Sequence, residues 1–329
     1  MKHNDIAIAA DHRRERKLPW SDSVARRGLL GRLAGIRHGR MVVRERGREH
    51  RFGAPSESCP LDVTVDIVDA RAWAEIVLGG ALGAGEAYMR GWWQTDDLTG
   101  VVRLFLVNRD VLENMERGAA RLLHPVFRFA HWLNRNTRRG SRRNIQAHYD
   151  LGDDLFRLFL DDTMMYSAAM FDAEHATLEA ASRNKIRALC RKLDLAPGHH
   201  LLEIGSGWGA LAVHAAMEYG CRVTTVTLSE NQLAAARQRA AAEGVADRVD
   251  VRLCDYRDLE GRYDRIVSVE MLEAVGHEYF ETYFRKVDEL LADDGLMVLQ
   301  TITIADQNYE HARRSVDFIK RYIFPGGGL

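Results

Sequence analysis

The chain has 329 residues, 46% of them hydrophobic, with 46 Lys and Arg against 47 Asp and Glu and a formal net charge of −1. That length accommodates two domains with separate cores, and the near balance of charge excludes a general electrostatic pull toward nucleic acid. The cysteines (Cys59, Cys190, Cys221, Cys254) are scattered without C-x-x-C or His-partner spacing, so they read as small buried residues in a reducing compartment, with no metal site.

Residues 1–20 are polar and charged; the expectation is poor order, and they lack the apolar core of a secretory signal. Helical periodicity follows at 21–37. Residues 41–43 and 61–67 alternate like short strands, with turn chemistry at Gly53-Ala-Pro55 between them. Residues 69–78, 85–90 and 97–108 read as helices, with Asp69 and Asp97 as expected N-caps. Residues 21–115 thus form a small α+β domain.

Residues 116–143 carry Arg117, Arg121, Arg128, Arg135, Arg138, Arg139, Arg142 and Arg143; from Arg117 onward there is no acid. On a helix Arg117, Arg121, His124, Arg128, His131 and Arg135 share one stripe, opposite Leu122, Val126, Ala130 and Leu133, although Pro125 weakens its continuity. Such a face suits an anionic lipid surface. It equally suits a solvated helix between domains, and the two roles are compatible.

From residue 144 to 329 short apolar strands alternate with helices. Strands are expected at 200–204, 222–227, 249–253, 265–269 and 296–302, and helices at 210–219, 230–243 and 279–291. That pattern predicts an α/β domain, a doubly wound, mostly parallel sheet covered on both faces. No window reaches the ~20 apolar residues of a spanning helix. The expected location is therefore cytoplasmic, with peripheral attachment to the inner face of the membrane.

The strand at 200–204 runs into Glu203-Ile-Gly-Ser-Gly-Trp-Gly209, in which Gly205, Gly207 and Gly209 alternate. A strand, glycine turn and helix hold nucleotide-like cofactors in doubly wound folds. The spacing departs from the dinucleotide fingerprint G-x-G-x-x-G and resembles the first motif of class I S-adenosylmethionine (SAM) methyltransferases. Thr227 ends the second strand where such enzymes carry a carboxylate, with Gln232 one helical turn on; both can hydrogen-bond hydroxyls or an amino acid tail, and Glu230 is an alternative. After the third strand, Asp255 could accept from an adenine amino group while Tyr256 covers the ring. After the fourth, Glu270 and Glu273 stand at the carboxyl edge of the sheet, where open α/β sheets bind ligands.

His148-Tyr-Asp-Leu-Gly152, Met165-Tyr-Ser-Ala168, Glu203-Ile-Gly-Ser-Gly-Trp-Gly209, Thr227-Leu-Ser-Glu-Asn-Gln232, Asp255-Tyr-Arg-Asp258, Asp264-Arg-Ile-Val-Ser268 and Tyr322-Ile-Phe-Pro325 together resemble the cyclopropane-fatty-acyl-phospholipid synthases and their mycolic-acid-modifying relatives. Gly85-Glu-Ala-Tyr-Met-Arg-Gly91 is similar to the lipid-engaging domain of the longer members. The likeness runs from about residue 40 to 329. It implies SAM contacts at Tyr166, Ser167, Gly205, Gly207, Thr227, Gln232, Asp255 and Tyr256, with Glu203 and Gly209 in the same motif. It implies transfer of a methyl(ene) group to the cis double bond of an unsaturated acyl chain of membrane phospholipid, giving a cyclopropane or a methyl- or methylene-branched chain. Aromatic faces would stabilise the carbocation formed on methyl addition, and a base would remove a proton.

In the family that base is a bound bicarbonate, held by a cysteine, a glutamate, a histidine, an isoleucine backbone and a later tyrosine. Glu273 and Ile302 match. Ala168 stands at the cysteine position, Gln300 at the histidine position and Ala274 beside the glutamate. Ala168 has no hydrogen-bonding side chain and Gln300 carries no proton, so the expectation is that Glu273 itself is the base. The chain stops inside a family motif, which predicts a sheet without its last two strands and with an unpaired edge. Methylation of a soluble amine and a SAM-binding lipid-surface protein without turnover are the alternative functions, and a homodimer remains open as the assembly.

Overall fold

The computed structural model describes residues 20–116, 153–173, 176–324 and 327. These fall in two compact units, divided between Pro125 and Val126. The basic segment 117–143 and the motif at 148–152 lie outside the described residues.

In the first unit, β1 (Gly39–Glu45), β2 (Arg48–Ala54), β3 (Asp62–Ile67) and β4 (Trp93–Gln94) form a sheet in the order β2-β1-β3-β4. β1 pairs antiparallel with β2 and parallel with β3. Glu45 lies opposite Arg48, so Arg46-Gly47 is a two-residue hairpin loop, and both residues have positive φ, 46° and 74°. That is the combination whose twist matches paired strands. β2 was not expected: its sequence, REHRFGA, is polar and mostly exposed, so it lacks the apolar alternation by which strands are recognised. The turn expected at Gly53-Ala-Pro55 is instead the end of this strand.

Helices α1 (Trp20–Leu33), α2 (Arg71–Met89), α3 (Leu98–Val107) and α4 (Arg109–Glu116) complete the unit. The two helices expected at 69–78 and 85–90 form one element broken at Gly80, where φ is 60° and ψ −139°. Asp97 caps α3 as expected, accepting from the Gly100 N–H at 2.7 Å. Asp69 sits one residue before the N-cap of α2, which is Ala70; its carboxylate accepts from the Arg71 N–H at 2.9 Å and grips the Arg71 guanidinium. Met41, Val43, Val63 and Val65 of the sheet meet Leu29, Leu33, Trp73, Ile76 and Leu104 of the helices in a buried core.

The second unit is the α/β domain. Strands β5 (His200–Ile204), β6 (Arg222–Thr227), β7 (Val249–Leu253), β8 (Tyr263–Val269) and β9 (Leu291–Gln300) lie in the order β7-β6-β5-β8-β9, every pair parallel. β9 starts earlier than expected because a register shift between Tyr263 and Arg265 brings Leu291 opposite Tyr263 before Leu296 pairs with Arg265. Around the strands lie α5 (Asp153–Arg157), α6 (Leu178–Lys192), α7 (Ala210–Tyr219), α8 (Glu230–Ala242), α9 (Phe280–Leu290) and α10 (Asp306–Arg314).

Alternation along the strands divides the core. Leu201, Val223, Val251 and Val267 pack with Ile186, Leu189, Leu211, Ala215, Ala236 and Ala240 on one face. Leu202, Ile204, Val226 and Ile266 pack with Tyr283, Val287 and Leu290 on the other. With both faces buried the strands are apolar at nearly every position, as a parallel sheet requires. The sequence reading missed α6, which opens on Thr177, its hydroxyl accepting from the Ala180 N–H at 3.1 Å. A mixed surface of Arg, Asn and Lys obscures its apolar stripe. Cys59, Cys190 and Cys221 are buried and Cys254 half-buried, all as free thiols.

Because the strands are parallel, their carboxyl ends share one edge. The chain winds outward from β5 to β6 and β7, then returns to β8 on the other side of β5. The ends of β5 and β8 therefore flank the topological switch point, where doubly wound sheets bind ligands.

Candidate functional site

The loop after β5 is pinned from below. The N–H groups of Gly205 and Ser206 both donate to the Val226 carbonyl, at 3.0 and 2.9 Å, and the Gly209 N–H donates to the Ser206 carbonyl at 2.9 Å. Gly207 has φ 48° and nothing within 4 Å of where a Cβ would stand. Gly209 is also left-handed, φ 86°, but for another reason: a Cβ there would lie 2.9 Å from Cα and Cβ of Ala236 on α8. The first glycine leaves room for a ligand; the second lets two helices close together.

Glu203, two residues before the loop, is buried beneath it. Its Oε2 accepts from the Thr225 hydroxyl at 2.6 Å, and loss of hydration pushes its pKa up to about 8. This carboxyl sits in the sheet behind the loop.

At the end of β6 the Thr227 hydroxyl donates to Gln232 Oε1 at 2.8 Å and accepts from the Ser229 N–H at 3.1 Å. Gln232 is 3% exposed, and its Nε2 is buried with no hydrogen-bond partner among the described residues. An unpaired buried amide donor costs about 1–3 kcal/mol. Glu230, the alternative to Thr227, is exposed in the first turn of α8.

After β7, Asp255 is clamped by Arg257: Oδ1 accepts from the Arg257 N–H at 3.0 Å and Nε at 2.8 Å, and Oδ2 from Nη2 at 2.6 Å. The clamp fixes the carboxylate and leaves it further lone pairs to offer. Tyr256 stands edge-on to Tyr283, ring centroids 5.3 Å apart, and burial pushes its pKa up to about 12.

The acids after β8 are held separately. Glu270 is in the left-handed region, φ 47°, which a non-glycine residue occupies only when its surroundings enforce it. Its N–H donates to the Gln300 carbonyl at 2.8 Å. Its Oε1 accepts from Gln300 Nε2 and from the Ala168 N–H, both at 2.8 Å. Glu273 is buried; its Oε1 accepts from the Thr301 hydroxyl at 2.8 Å and from the Ile302 N–H, and its Oε2 is buried without a partner. Glu273 thus meets Ile302 in the segments that follow β8 and β9, whereas Gln300, at the end of β9, meets Glu270. Glu270 is also the residue that joins Ala168 to Gln300.

The Ala168 bond brings the 165–168 segment to this edge, although β8 begins about a hundred residues later. Tyr166 packs edge-on against Phe156, centroids 5.1 Å apart, and Phe156 against Trp208 of the glycine loop, also 5.1 Å. Trp208 is anchored by its Nε1, which donates to Asp153 at 3.1 Å. Burial, reinforced by the Glu270 charge, raises the Tyr166 pKa. Ser167 Oγ accepts from Nζ of Lys185, a residue of α6 with no exposed surface. The sequence reading identified neither Phe156 nor Lys185; the Thr177 cap before α6 was the available signal for the helix, and nothing in the sequence pointed Lys185 inward.

Comparison with known proteins gives relatives for this chain. The chain is 42% identical over 257 residues to the tuberculostearic acid methyltransferase UfaA1 of Mycobacterium tuberculosis, covering 76% of this chain and 60% of that protein. It is 38% identical over 281 residues to the cyclopropane-fatty-acyl-phospholipid synthase of Escherichia coli K12, covering 83% of this chain and 68% of that one. Among solved structures it is similar to mycolic acid cyclopropane synthase CmaA1 complexed with SAH and CTAB, at 40% identity and a TM-score of 0.53 over 57% of this chain and 69% of that chain. The cyclopropane synthase MmaA2 from Mycobacterium tuberculosis gives 38% identity and a TM-score of 0.52 over the same shares. The chain spans less than two thirds of the first of these relatives. The family described as mycolic acid cyclopropane synthetase matches residues 136–329, more than half of the chain, and with the parallel sheet and the glycine loop this establishes that the chain belongs to that family.

Proposed function

We propose that this protein transfers a methyl(ene) group from SAM to the cis double bond of an unsaturated acyl chain of membrane phospholipid, with Glu270 as the base. The residues fit the donor on two observations: the open, left-handed Gly207 and the unpaired buried amide of Gln232. Gly205, Gly207, Thr227 and Gln232 would hold its polar parts, Asp255 and Tyr256 its adenine, Tyr166 would face its reactive end and Ser167 its amino acid tail. SAM supplies an electrophilic methyl group to an alkene that is a poor nucleophile, so the protein's contribution is alignment.

The observation that carries the reading is the bonding of Glu270. Two of the positions matched to the bicarbonate pocket are Ala168 and Gln300, and a carboxylate oxygen of the chain itself already accepts from both. That occupancy does not fit a bicarbonate, and no step through one is required. Glu270, fixed by two donors, takes the proton from the substrate carbocation at its carboxylate. Loss from the added methyl closes a ring; a 1,2-hydride shift that moves the cation to the methyl-bearing carbon, followed by loss from the methyl, leaves a methylene branch. This proposal departs from the sequence expectation that Glu273 is the base; Glu273 Oε1 accepts from Thr301 and Ile302.

Exposed apolar side chains in the chain segments before and after Tyr166 support a lipid substrate over a soluble amine: Leu158, Phe159, Met170 and Phe171 are 82%, 50%, 47% and 58% exposed. Among the described residues no helix is long and apolar enough to cross a membrane. The proposed setting is therefore the cytoplasmic membrane surface, with the arginines of 117–143 drawn to anionic headgroups. The test is mass spectrometry of phospholipid acyl chains from cells expressing the full-length gene. One CH₂ gained per unsaturated chain is expected, with fragmentation separating ring from branch; unchanged acyl chains, with labelled methyl appearing in soluble amines, would overturn the proposal.

A further inference from the structure

Lys185 is 0% exposed, and it donates to the Ser167 hydroxyl oxygen. Among the described residues it makes no ion pair: the nearby acids, Glu270 and Asp161, act on it only through their charge. Asp161 is occupied by the Thr163 hydroxyl, at 2.8 Å to Oδ1, and Glu270 by Ala168 and Gln300. A buried ammonium without a contacting counter-ion is costly, and burial lowers the Lys185 pKa to about 8.

The bond has a directional consequence. A hydroxyl has one proton and two lone pairs. An ammonium has only protons to give, so Ser167 Oγ must accept from Lys185, and its own O–H is left to point elsewhere. Ser167 is half-buried, which leaves that proton available to a ligand, with a positive charge behind the oxygen. A donor polarised in this way selects an anion.

We infer that Lys185 is a positioning residue that makes the Ser167 hydroxyl a receptor for the carboxylate of the methyl donor's amino acid tail. This rests on the proposed reading of the site as one for SAM. The carboxylate is the donor's only anionic group, whereas its amine and sulfonium are cationic. Lys185 itself touches no ligand; it sets the direction and strength of the hydrogen bond that Ser167 makes.

The test is calorimetric binding of SAM and of decarboxylated SAM, which keeps the sulfonium and amine, to the full chain without lipid. The wild type is expected to bind SAM more tightly. Lys185→Met is expected to weaken SAM binding about tenfold or more while changing decarboxylated SAM less than about twofold. Ser167→Ala, a substitution at a half-buried position, is expected to give the same selective loss, and it tests the idea if Lys185→Met does not fold. A wild type that binds neither compound would remove the SAM reading and the inference with it. A wild type that prefers SAM, with variants that keep that preference or weaken both compounds equally, would overturn the role of Lys185 alone. Unchanged SAM affinity in Lys185→Met with an altered pH profile of turnover would also overturn it, assigning the lysine to Glu270 instead.

Discussion

Glu270 and Gln300 are joined twice: the Glu270 N–H donates to the Gln300 carbonyl at 2.8 Å, and Gln300 Nε2 donates back to Glu270 Oε1 at 2.8 Å. The pair bridges the ends of β8 and β9 and holds Glu270 in a left-handed conformation. A glutamine suits this position because it donates without carrying a proton that the carboxylate could take.

Replacing Glu270 by Gln removes the proton acceptor and keeps the shape. Turnover should fall by about 10²–10⁴-fold, with SAM affinity within about threefold of wild type by calorimetry. Glu273→Gln, whose oxygen can still accept from Thr301 and Ile302, should cost much less. If the larger loss came from Glu273, the base would be that residue.

The glycines of the loop should separate stability from binding. Gly209→Ala forces a Cβ to within 2.9 Å of Ala236 in a left-handed conformation and should cost about 3 kcal/mol in denaturant unfolding. Gly207→Ala meets open space and carries only the conformational cost, about 1–2 kcal/mol. It should nonetheless lose most SAM binding, because the methyl group enters the room the ligand needs.

Glu203 should make the protein less stable as pH rises. Its folded pKa is about 8 against an ordinary 4.5, so the folded state holds the proton more tightly across that window. The associated stability is fully present below pH 4.5 and is lost progressively until pH passes 8, for a total of about 3–5 kcal/mol. Glu203→Gln can still accept from Thr225 and has no proton to lose. Denaturation curves of the two proteins should converge at acidic pH and diverge by pH 9, with the variant the more stable.

Gln232→Leu removes a buried donor that has no partner and strands the Thr227 hydroxyl that Gln232 accepted from. The two effects oppose, so stability should change by less than about 1 kcal/mol, while SAM affinity falls about tenfold. An equal loss of stability and binding would make Gln232 a structural residue only.

Much of the α/β unit was legible because burial on both faces leaves little choice of residue. The apolar runs at 200–204 and 222–227 mark their strands to the residue, and a glycine triplet after a strand has few other uses. Strand β2 and helix α6 were not legible. The first is an exposed strand stabilised by pairing rather than by an apolar face. The second carries its stripe among charged residues, and one of those, Lys185, faces inward.

The sequence by itself determined the order of strands and helices, the glycine loop and the family, because these depend on local backbone preference and on periodic burial along the chain. Only the tertiary structure decided which of two acids, three residues apart, meets Ala168 and Gln300. That contact joins segments more than a hundred residues apart in the chain, and their meeting is fixed by parallel strands ending at one edge, which no local pattern records.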